Sequence, residues 1–141
     1  MRNPIFNYKL YAEVINYQSQ DEMAFIKKVL KGMEYVNNKV FILLVVFFND
    51  YVIAQKDFNK MNAYNLAVVF GPCFFRPKEY DLKDLIYSGK FAKILMTIFE
   101  NPQELIEQAE IDLARGTLQT LAPVLWIMIL SVLFYLMNSL D

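Results

Sequence analysis

The chain has 141 residues, about the length of one domain, and 56% of them are hydrophobic, which is above the roughly 45–50% of an ordinary soluble domain. Fourteen basic and fifteen acidic residues leave a net charge of −1, and such a balance does not favour binding to nucleic acid. There is no histidine and one cysteine, so an internal disulfide is excluded, no metal site or cofactor is predicted, and an enzyme with its own active site is the weakest hypothesis.

The first helical signal lies near residue 20. Ser19-Gln20-Asp21-Glu22 has the pattern of a capping box, with a hydroxyl at the N-cap and a carboxylate three residues later. Four apolar residues follow at helical spacing, while the lysines lie mostly on the other side. The sequence therefore predicts an amphipathic helix with a buried face formed by Met23, Ile26, Leu30 and Met33.

A second, more apolar helix follows. Asn37 or Asn38 is positioned to cap it, and Val40 to Phe48 form a run of nine apolar residues. Nine residues fall far short of the ~20 that span a bilayer. A helix that is apolar on all sides is typical of the centre of a bundle, so this segment is predicted to be the core helix.

The next helix is predicted from Ala63 to Phe70, after Asn62 as its N-cap. Gly71-Pro72 is expected to stop it, because glycine adopts a terminating conformation readily and proline cannot continue the hydrogen-bond ladder. The residues that follow, up to about Pro77, are expected to be extended.

Two further helices are predicted before the C-terminal block. The segment 81–87 has the character of a short helical turn or loop, and 90–99 that of an amphipathic helix. Asn101-Pro102 opens another helix, which Gly116 is expected to end. These patterns together predict an all-α fold.

The C-terminal block is a predicted membrane anchor. Residues 118–137 carry no charge, and twenty residues of helix cover about 30 Å, the thickness of a hydrocarbon core. Trp126 and Tyr135 lie toward the two ends, as expected for rings at membrane interfaces. The alternative is a buried final helix of a soluble core. The membrane interpretation makes 107–117 a juxtamembrane segment and predicts a tail-anchored protein on the cytoplasmic face of an intracellular membrane.

The most informative motif is the stretch from Asn59 to Pro72, which reads NKMNAYNLAVVFGP. It closely resembles the signature of Rho GTPase-activating (RhoGAP) domains, N-K-M followed by N-L-A-x-V-F-G-P-N. The segment from Pro4 to Tyr11 is similar to the family's P-L-I-P-Y-x-L-Y. Residues 1–106 thus resemble the C-terminal part of a RhoGAP domain, and the fold implied is a partial RhoGAP-like helical bundle followed by the predicted transmembrane helix.

The resemblance implies a regulator of Rho-family small G proteins in their GTP-bound form. Such a domain inserts an arginine into its partner's site, where it stabilises transition-state charge. The family's arginine lies in a G-x-x-R-x-S-G loop upstream of the matching segment, and none of Arg2, Arg76 and Arg115 has that context. No catalytic residue is therefore assigned. A non-catalytic, membrane-tethered G-protein-binding module is the alternative, and a coding sequence that continues upstream would restore the activator.

Three residues are predicted to contact the partner: Lys60, Asn65 and Cys73. Lys60 matches the lysine of N-K-M, although a solvated lysine fits as well. Asn65 matches the asparagine of N-L-A, with a bond to a neighbouring backbone as the other interpretation. Cys73 replaces the family's asparagine after G-P, and its thiol lacks an amide's paired donor and acceptor. Its alternative role is that of a small, at least half-buried apolar residue.

Overall fold

The computed structural model describes residues 4–18, 21–79 and 81–138, and only the main chain of residues 83 and 125–138. A π-helical turn (Phe48–Val52) and a 3₁₀ turn (Ile53–Gln55) lie between the third and fourth α-helices. The α-helices are α1 (Tyr8–Ile15), α2 (Glu22–Lys31), α3 (Tyr35–Phe47), α4 (Lys56–Asn59), α5 (Ala63–Phe74), α6 (Leu82–Glu100), α7 (Pro102–Leu105) and α8 (Gln108–Asn138). The described part of the chain is therefore an all-α fold, as predicted.

The core is built around stacked phenylalanines. Phe6 lies face to face with Phe75, at 4.2 Å between ring centroids, and edge-on to Phe41 at 4.9 Å. Phe75 in turn stacks on Phe91 of α6 at 4.9 Å. The Phe6 backbone N–H donates to the Phe74 carbonyl at 3.2 Å, so the segment before α1 pairs with the end of α5. These ring contacts join the N-terminal segment, α3, α5 and α6 in one core.

Helix α3 is the central helix that its composition predicted. The helical stretch Tyr35–Asn59, with mean hydropathy 1.5, is long and apolar enough to cross a membrane. Its inner face is nevertheless covered by the other helices, which is the ordinary position of a core helix in a bundle. The buried residues of this stretch are Phe41, Ile42, Val45, Val46 and Phe48.

The predicted starts of α2 and α3 require correction. Helix α2 begins at Glu22 with Asp21 as N-cap, and the Ser19–Gln20 part of the expected capping box lies outside the described residues. Helix α3 begins before Asn37, with Glu34 at its N-cap. The Asn37 and Asn38 side chains instead donate to the carbonyls of residues 5 and 30, at 3.2 and 3.1 Å. They serve tertiary contacts, and the expected cap at those asparagines was wrong.

Helix α5 does not stop at Gly71-Pro72, contrary to the prediction. It continues to Phe74, and Pro72 lies inside it on the exposed side. Because proline has no backbone N–H, the Val68 carbonyl has no intrahelical donor, and on this exposed side water can donate to it instead. Gly71 is buried against Phe91 and Ala92, so its small size serves helix packing. Burial of the α5 face against α6 outweighs the local stop signal.

Helix α6 is likewise longer than predicted. Asp81 caps it, and the Asp84 side chain accepts from the Asp81 backbone N–H at 2.6 Å, completing a capping box. The segment 81–87, expected to be a short helical turn or loop, is therefore the start of a helix that runs through Gly89 to Glu100. The Glu22 carboxylate of α2 accepts from Lys93 at 2.6 Å and from Thr97 at 2.9 Å, which fixes the middle of α6 on the bundle.

The C-terminal helix also differs from its prediction. The helix that begins at Pro102 ends at Leu105, and a separate helix, α8, begins at Gln108 and runs through Gly116 and Pro123 to Asn138. Gly116 does not end it, because residues on both sides pack against the core: Ile111 and Ala114 before it and Leu118 after it. The tail side chains from residue 125 onward, including Trp126 and Tyr135, lie outside the described residues.

Candidate functional site

The N-K-M motif forms a tight turn between α4 and α5. Lys60 ends α4 in the left-handed conformation, with φ of 60°. Its ammonium group donates to the Asp57 carbonyl at 2.6 Å, at the C-terminal end of α4. A cation in that position satisfies a carbonyl that the helix leaves open. Lys60 is exposed, as expected for a side chain that a partner can reach.

Asparagine side chains hold this turn in place. Asn59 donates to the Val52 carbonyl at 2.8 Å and accepts from the Met61 N–H at 2.7 Å. Asn62 caps α5, as predicted, by accepting from the Asn65 N–H at 2.8 Å. The Asn65 amide donates to the Lys60 carbonyl at 2.7 Å. Asn65 therefore fixes the backbone that positions Lys60, which links two of the three predicted site residues directly.

Cys73 lies two turns further along α5, about 12 Å from Asn65 by helical rise. It is exposed, and its sulfur lies 3.8 Å from the Val69 carbonyl. The interpretation of Cys73 as a buried or half-buried apolar residue is therefore wrong. Cys73 lies at the edge of the exposed side of α5, seven residues after the buried Leu66 and directly before the buried Phe74.

The surface between these residues was not predicted from the sequence. Tyr64, Val68 and Val69 are 60%, 46% and 56% exposed, although the motif around them is otherwise a core pattern. Large apolar residues exposed together on one face are typical of protein-binding surfaces. The available signal was helical spacing, since Tyr64, Val68 and Pro72 follow one another every four residues on the side away from the core. We refer to Tyr64, Asn65, Val68, Val69, Pro72 and Cys73 as the α5 surface.

Charged residues border the α5 surface at both ends. Lys56 and Lys60 are exposed before it, and Arg76 and Lys78 are exposed after it. Asp57 and Glu79 place carboxylates beside them, so the border carries both signs with an excess of cations. An apolar centre with a charged rim suits another protein's surface better than a small molecule.

Two cavities in the described part of the chain do not coincide with this surface. The larger, about 710 Å³, is an open groove between α2, α3 and the α7–α8 region, with lysines on one wall and glutamates on the other. The smaller, about 100 Å³, touches the α5 surface only at Pro72. Among the described residues, no group of three or more metal-ligating side chains is close enough to hold a metal ion. The arrangement favours contact with a macromolecule.

Arg115 forms an ion pair within the chain and does not extend freely toward a partner. Its guanidinium contacts Asp50 at 2.6 and 3.2 Å, which raises the pKa of Arg115 further through the hydrogen bond and the charge of that carboxylate. Arg76 lies exposed just after α5. Arg2 lies outside the described residues. Arg115 therefore joins α8 to the end of α3 and is not part of the α5 surface.

Comparison with known proteins identifies a matching family and several relatives. The family described as the RhoGAP domain matches residues 1–79. The chain is 31% identical over 108 residues to "Rho GTPase-activating protein gacEE" of Dictyostelium discoideum, covering 74% of this chain and 18% of that protein. It is 33% identical over 105 residues to "Rho GTPase-activating protein gacII" of the same organism, covering 71% and 13%. With mouse "Beta-chimaerin" it shares 23% identity over 107 residues, 73% of this chain and 32% of that protein.

The matched region is a small part of each relative. It spans 18%, 13% and 32% of the lengths of these three proteins. The family match covers the N-K-M turn and all of α5, since both lie within residues 1–79.

Proposed function

The chain belongs to the RhoGAP domain family, and we propose that it regulates Rho-family small G proteins by binding their GTP-bound form through the α5 surface. The observation that carries this proposal is the exposure of Tyr64, Val68 and Val69 within the family's signature motif. Lys60 stands at one end of this surface, held by Asn65, and Cys73 at the other. All three predicted site residues therefore border or belong to one surface that a partner protein can cover.

We propose binding without acceleration of GTP hydrolysis for this chain. Acceleration requires a cation at the γ-phosphate in the transition state, which an inserted arginine supplies with a gain of about 10³–10⁵ in rate. Arg115 contacts Asp50, and Arg76 lies at the end of α5 outside the family's arginine motif. Cys73 also lacks the amide that the family places after G-P. Recognition and stimulation are thus separate properties, and the α5 surface supports the first.

The test measures both properties with the full chain in lipid nanodiscs. Rho-family proteins loaded with a non-hydrolysable GTP analogue or with GDP are titrated against it, and single-turnover GTP hydrolysis is followed in parallel. We expect binding selective for the GTP state and an unchanged hydrolysis rate. A rate increase of 10³ or more would contradict the non-catalytic assignment, since that is about the gain an inserted arginine gives.

A matched pair of variants locates the interface. Val69→Asp places a charge in the middle of the α5 surface, and Leu113→Asp places one at a comparably exposed position on α8, where Leu113 is 67% exposed. Desolvating an unpaired carboxylate in an interface is costly, so V69D should weaken binding strongly while L113D should not. Equal effects of the two changes would place the interface elsewhere.

We further propose that residues 118–137 anchor the protein in a membrane and that the bundle lies on its cytoplasmic face. Residues 118–137 are uncharged, and the helix that contains them continues without a break from the bundle. The positions just after Leu118 support this interpretation over a buried final helix, because Leu121 and Val124 are 43% and 52% exposed. A helix destined for the core of the bundle would bury such residues.

Membrane insertion is tested by substitution within the full-length chain. Ile129→Arg together with Leu133→Arg adds two charges near the middle of the span, each costing about 2.5–3.5 kcal/mol of insertion. We expect the wild-type chain to resist alkaline extraction from membranes and the double variant to be released. Release of the wild-type chain would contradict the anchor.

A further inference from the structure

The end of the bundle from which α8 departs is defined by its contacts. Arg115 of α8 contacts Asp50, which lies in the π-helical turn after α3. One turn later Leu118 makes the last contact of α8 with the core among the described side chains. Leu121 and Val124 then lie exposed. The apolar part of α8 therefore leaves the bundle beside the C-terminal end of α3.

That same end carries exposed aromatic side chains. Phe47 and Tyr51 stack on each other with ring centroids 5.7 Å apart, and 39% and 46% of their surfaces are exposed. Phe58, in α4, is 87% exposed. The Asn59 side chain donates to the Val52 carbonyl at 2.8 Å, which holds α4 against the turn that carries Tyr51. We call Phe47, Tyr51 and Phe58 the aromatic end.

The charges at the aromatic end suit a lipid headgroup layer. Lys56 and Lys60 are exposed on and beside α4, and Asp57 is the exposed carboxylate between them. Asp50 and Asp112, on the α8 side of this end, both lie within ion-pair distance of Arg115. Aromatic rings favour the interface between headgroups and acyl chains, and lysines near the surface are attracted by anionic lipids.

We propose that the aromatic end rests on the surface of the membrane that α8 enters, with Phe58 in the interfacial layer and Lys56 toward anionic headgroups. This inference rests on the proposed membrane anchor. Because α8 is one helix from Gln108 to Asn138, no flexible linker separates the anchor from the bundle. The bundle is therefore held in one orientation, with the start of the α5 surface near the membrane and its Cys73 end further away.

The experiment measures how closely single tryptophans approach lipid. A Trp126→Phe background removes the native tryptophan, and either Phe58→Trp or Tyr35→Trp then adds one. Tyr35 is the matched control because it is 76% exposed and lies at the start of α3, about 20 Å away along a helix of 13 residues. The full chains are reconstituted into vesicles of phosphatidylcholine and phosphatidylserine, with or without brominated phosphatidylcholine, and flotation confirms attachment.

We expect bromine to quench the fluorescence of F58W several-fold more than that of Y35W. Lys56→Glu in the F58W chain should reduce this quenching, and replacing phosphatidylserine by neutral lipid should do the same. Chains that float but show equal, weak quenching at both positions would overturn the inference and leave the anchor intact. A blue-shifted F58W emission without bromine quenching would indicate that a protein covers the aromatic end, and would also overturn it. Chains that fail to float would overturn the anchor and this inference together.

Discussion

The Arg115 guanidinium binds the Asp50 carboxylate through two nitrogens, with distances of 2.6 Å from Nε and 3.2 Å from Nη2. This two-point contact fixes α8 on the end of α3. The flanking apolar contacts of α8 come from Ile111, Ala114 and Leu118. Apolar contacts alone restrict the relative orientation of two helices weakly. The ion pair restricts it further, since planar guanidinium–carboxylate geometry limits rotation of one helix against the other.

Removing this contact should loosen α8. We expect Arg115→Ala to cost about 1 kcal/mol, because the side chains are 40% and 29% exposed and water screens the pair. Amide hydrogen exchange of residues 108–118 should accelerate more than that of α6. Asp112→Asn is the control, since Asp112 lies further from Arg115, at 3.7 Å. A double-mutant cycle between Asp50→Ala and Arg115→Ala that gave no coupling would contradict the assignment.

Sequence patterns predicted the start of α5 correctly and missed two helix ends. Asn62 acts locally, because its short side chain reaches the N–H of Asn65, and that interaction can be read from the sequence. The ends expected at Gly71-Pro72 and Gly116 failed, since burial of apolar residues beyond each glycine depends on neighbouring helices. The helix that begins after Asp81 was predicted too short: its D-x-x-D pattern is a capping box, and the segment was interpreted as a short helical turn or loop.

Candidate site residues could be proposed from the motif, whereas their geometry could not. The motif singled out Lys60, Asn65 and Cys73 and allowed a bond from Asn65 to a neighbouring backbone, yet it did not indicate that the acceptor would be the Lys60 carbonyl. Nor did it indicate which valines of the motif face outward. Exposure of Val68 and Val69 is decided by where α6 and α3 pack on α5, and a single sequence does not give those positions. The partner-binding role of all three residues stays a prediction.

Lys60 allows its charge and its backbone to be tested separately. Its left-handed φ costs a residue with a Cβ roughly 1 kcal/mol relative to glycine, so Lys60→Gly should raise the melting temperature. Lys60→Ala keeps the strain and should not. Both variants remove the ammonium group, so both should weaken G-protein binding equally if that group contacts the partner. Unchanged binding in both would leave Lys60 with only its contact to the Asp57 carbonyl.

Cys73→Asn tests the departure from the family motif. The side chain is exposed, so the change should alter the free energy of unfolding by no more than about 0.5 kcal/mol. The restored amide supplies a donor and an acceptor at the end of the α5 surface, and we expect tighter binding to the GTP-bound partner. Hydrolysis should stay at the unstimulated rate because no arginine is added. Cys73→Ser is the control, and an equal gain in affinity from serine would rule out a specific role for the amide.

The acid sensitivity of the α1–α6 contact depends on Asp84. Its carboxylate accepts from the Asp81 N–H and from the Tyr11 hydroxyl, and these bonds lower the pKa of Asp84 below its ordinary value of about 3.9. A lowered folded-state pKa contributes stability above the unfolded pKa, and that stability is lost as pH falls through the folded pKa. The melting-temperature gap between wild type and Asp84→Asn should therefore shrink below about pH 4. Glu79→Gln controls for the loss of one negative charge, and a gap that widened in acid would contradict the sign.

Gly71→Ala tests why α5 passes through a glycine–proline pair. No described glycine has a positive φ, so no left-handed turn requires glycine at this position. A Cβ built there would lie 3.5 Å from the Ala92 nitrogen and 3.6 Å from the Phe91 Cβ, which are ordinary contact distances. Alanine should then stabilise the chain by about 0.5–1 kcal/mol through its higher helix propensity. Gly89→Ala, in an exposed part of α6 with open space around it, gives the propensity gain alone. A contrary result would be a G71A chain that melts below wild type while G89A melts above it. Gly71 would then be required for the close packing of α5 on α6.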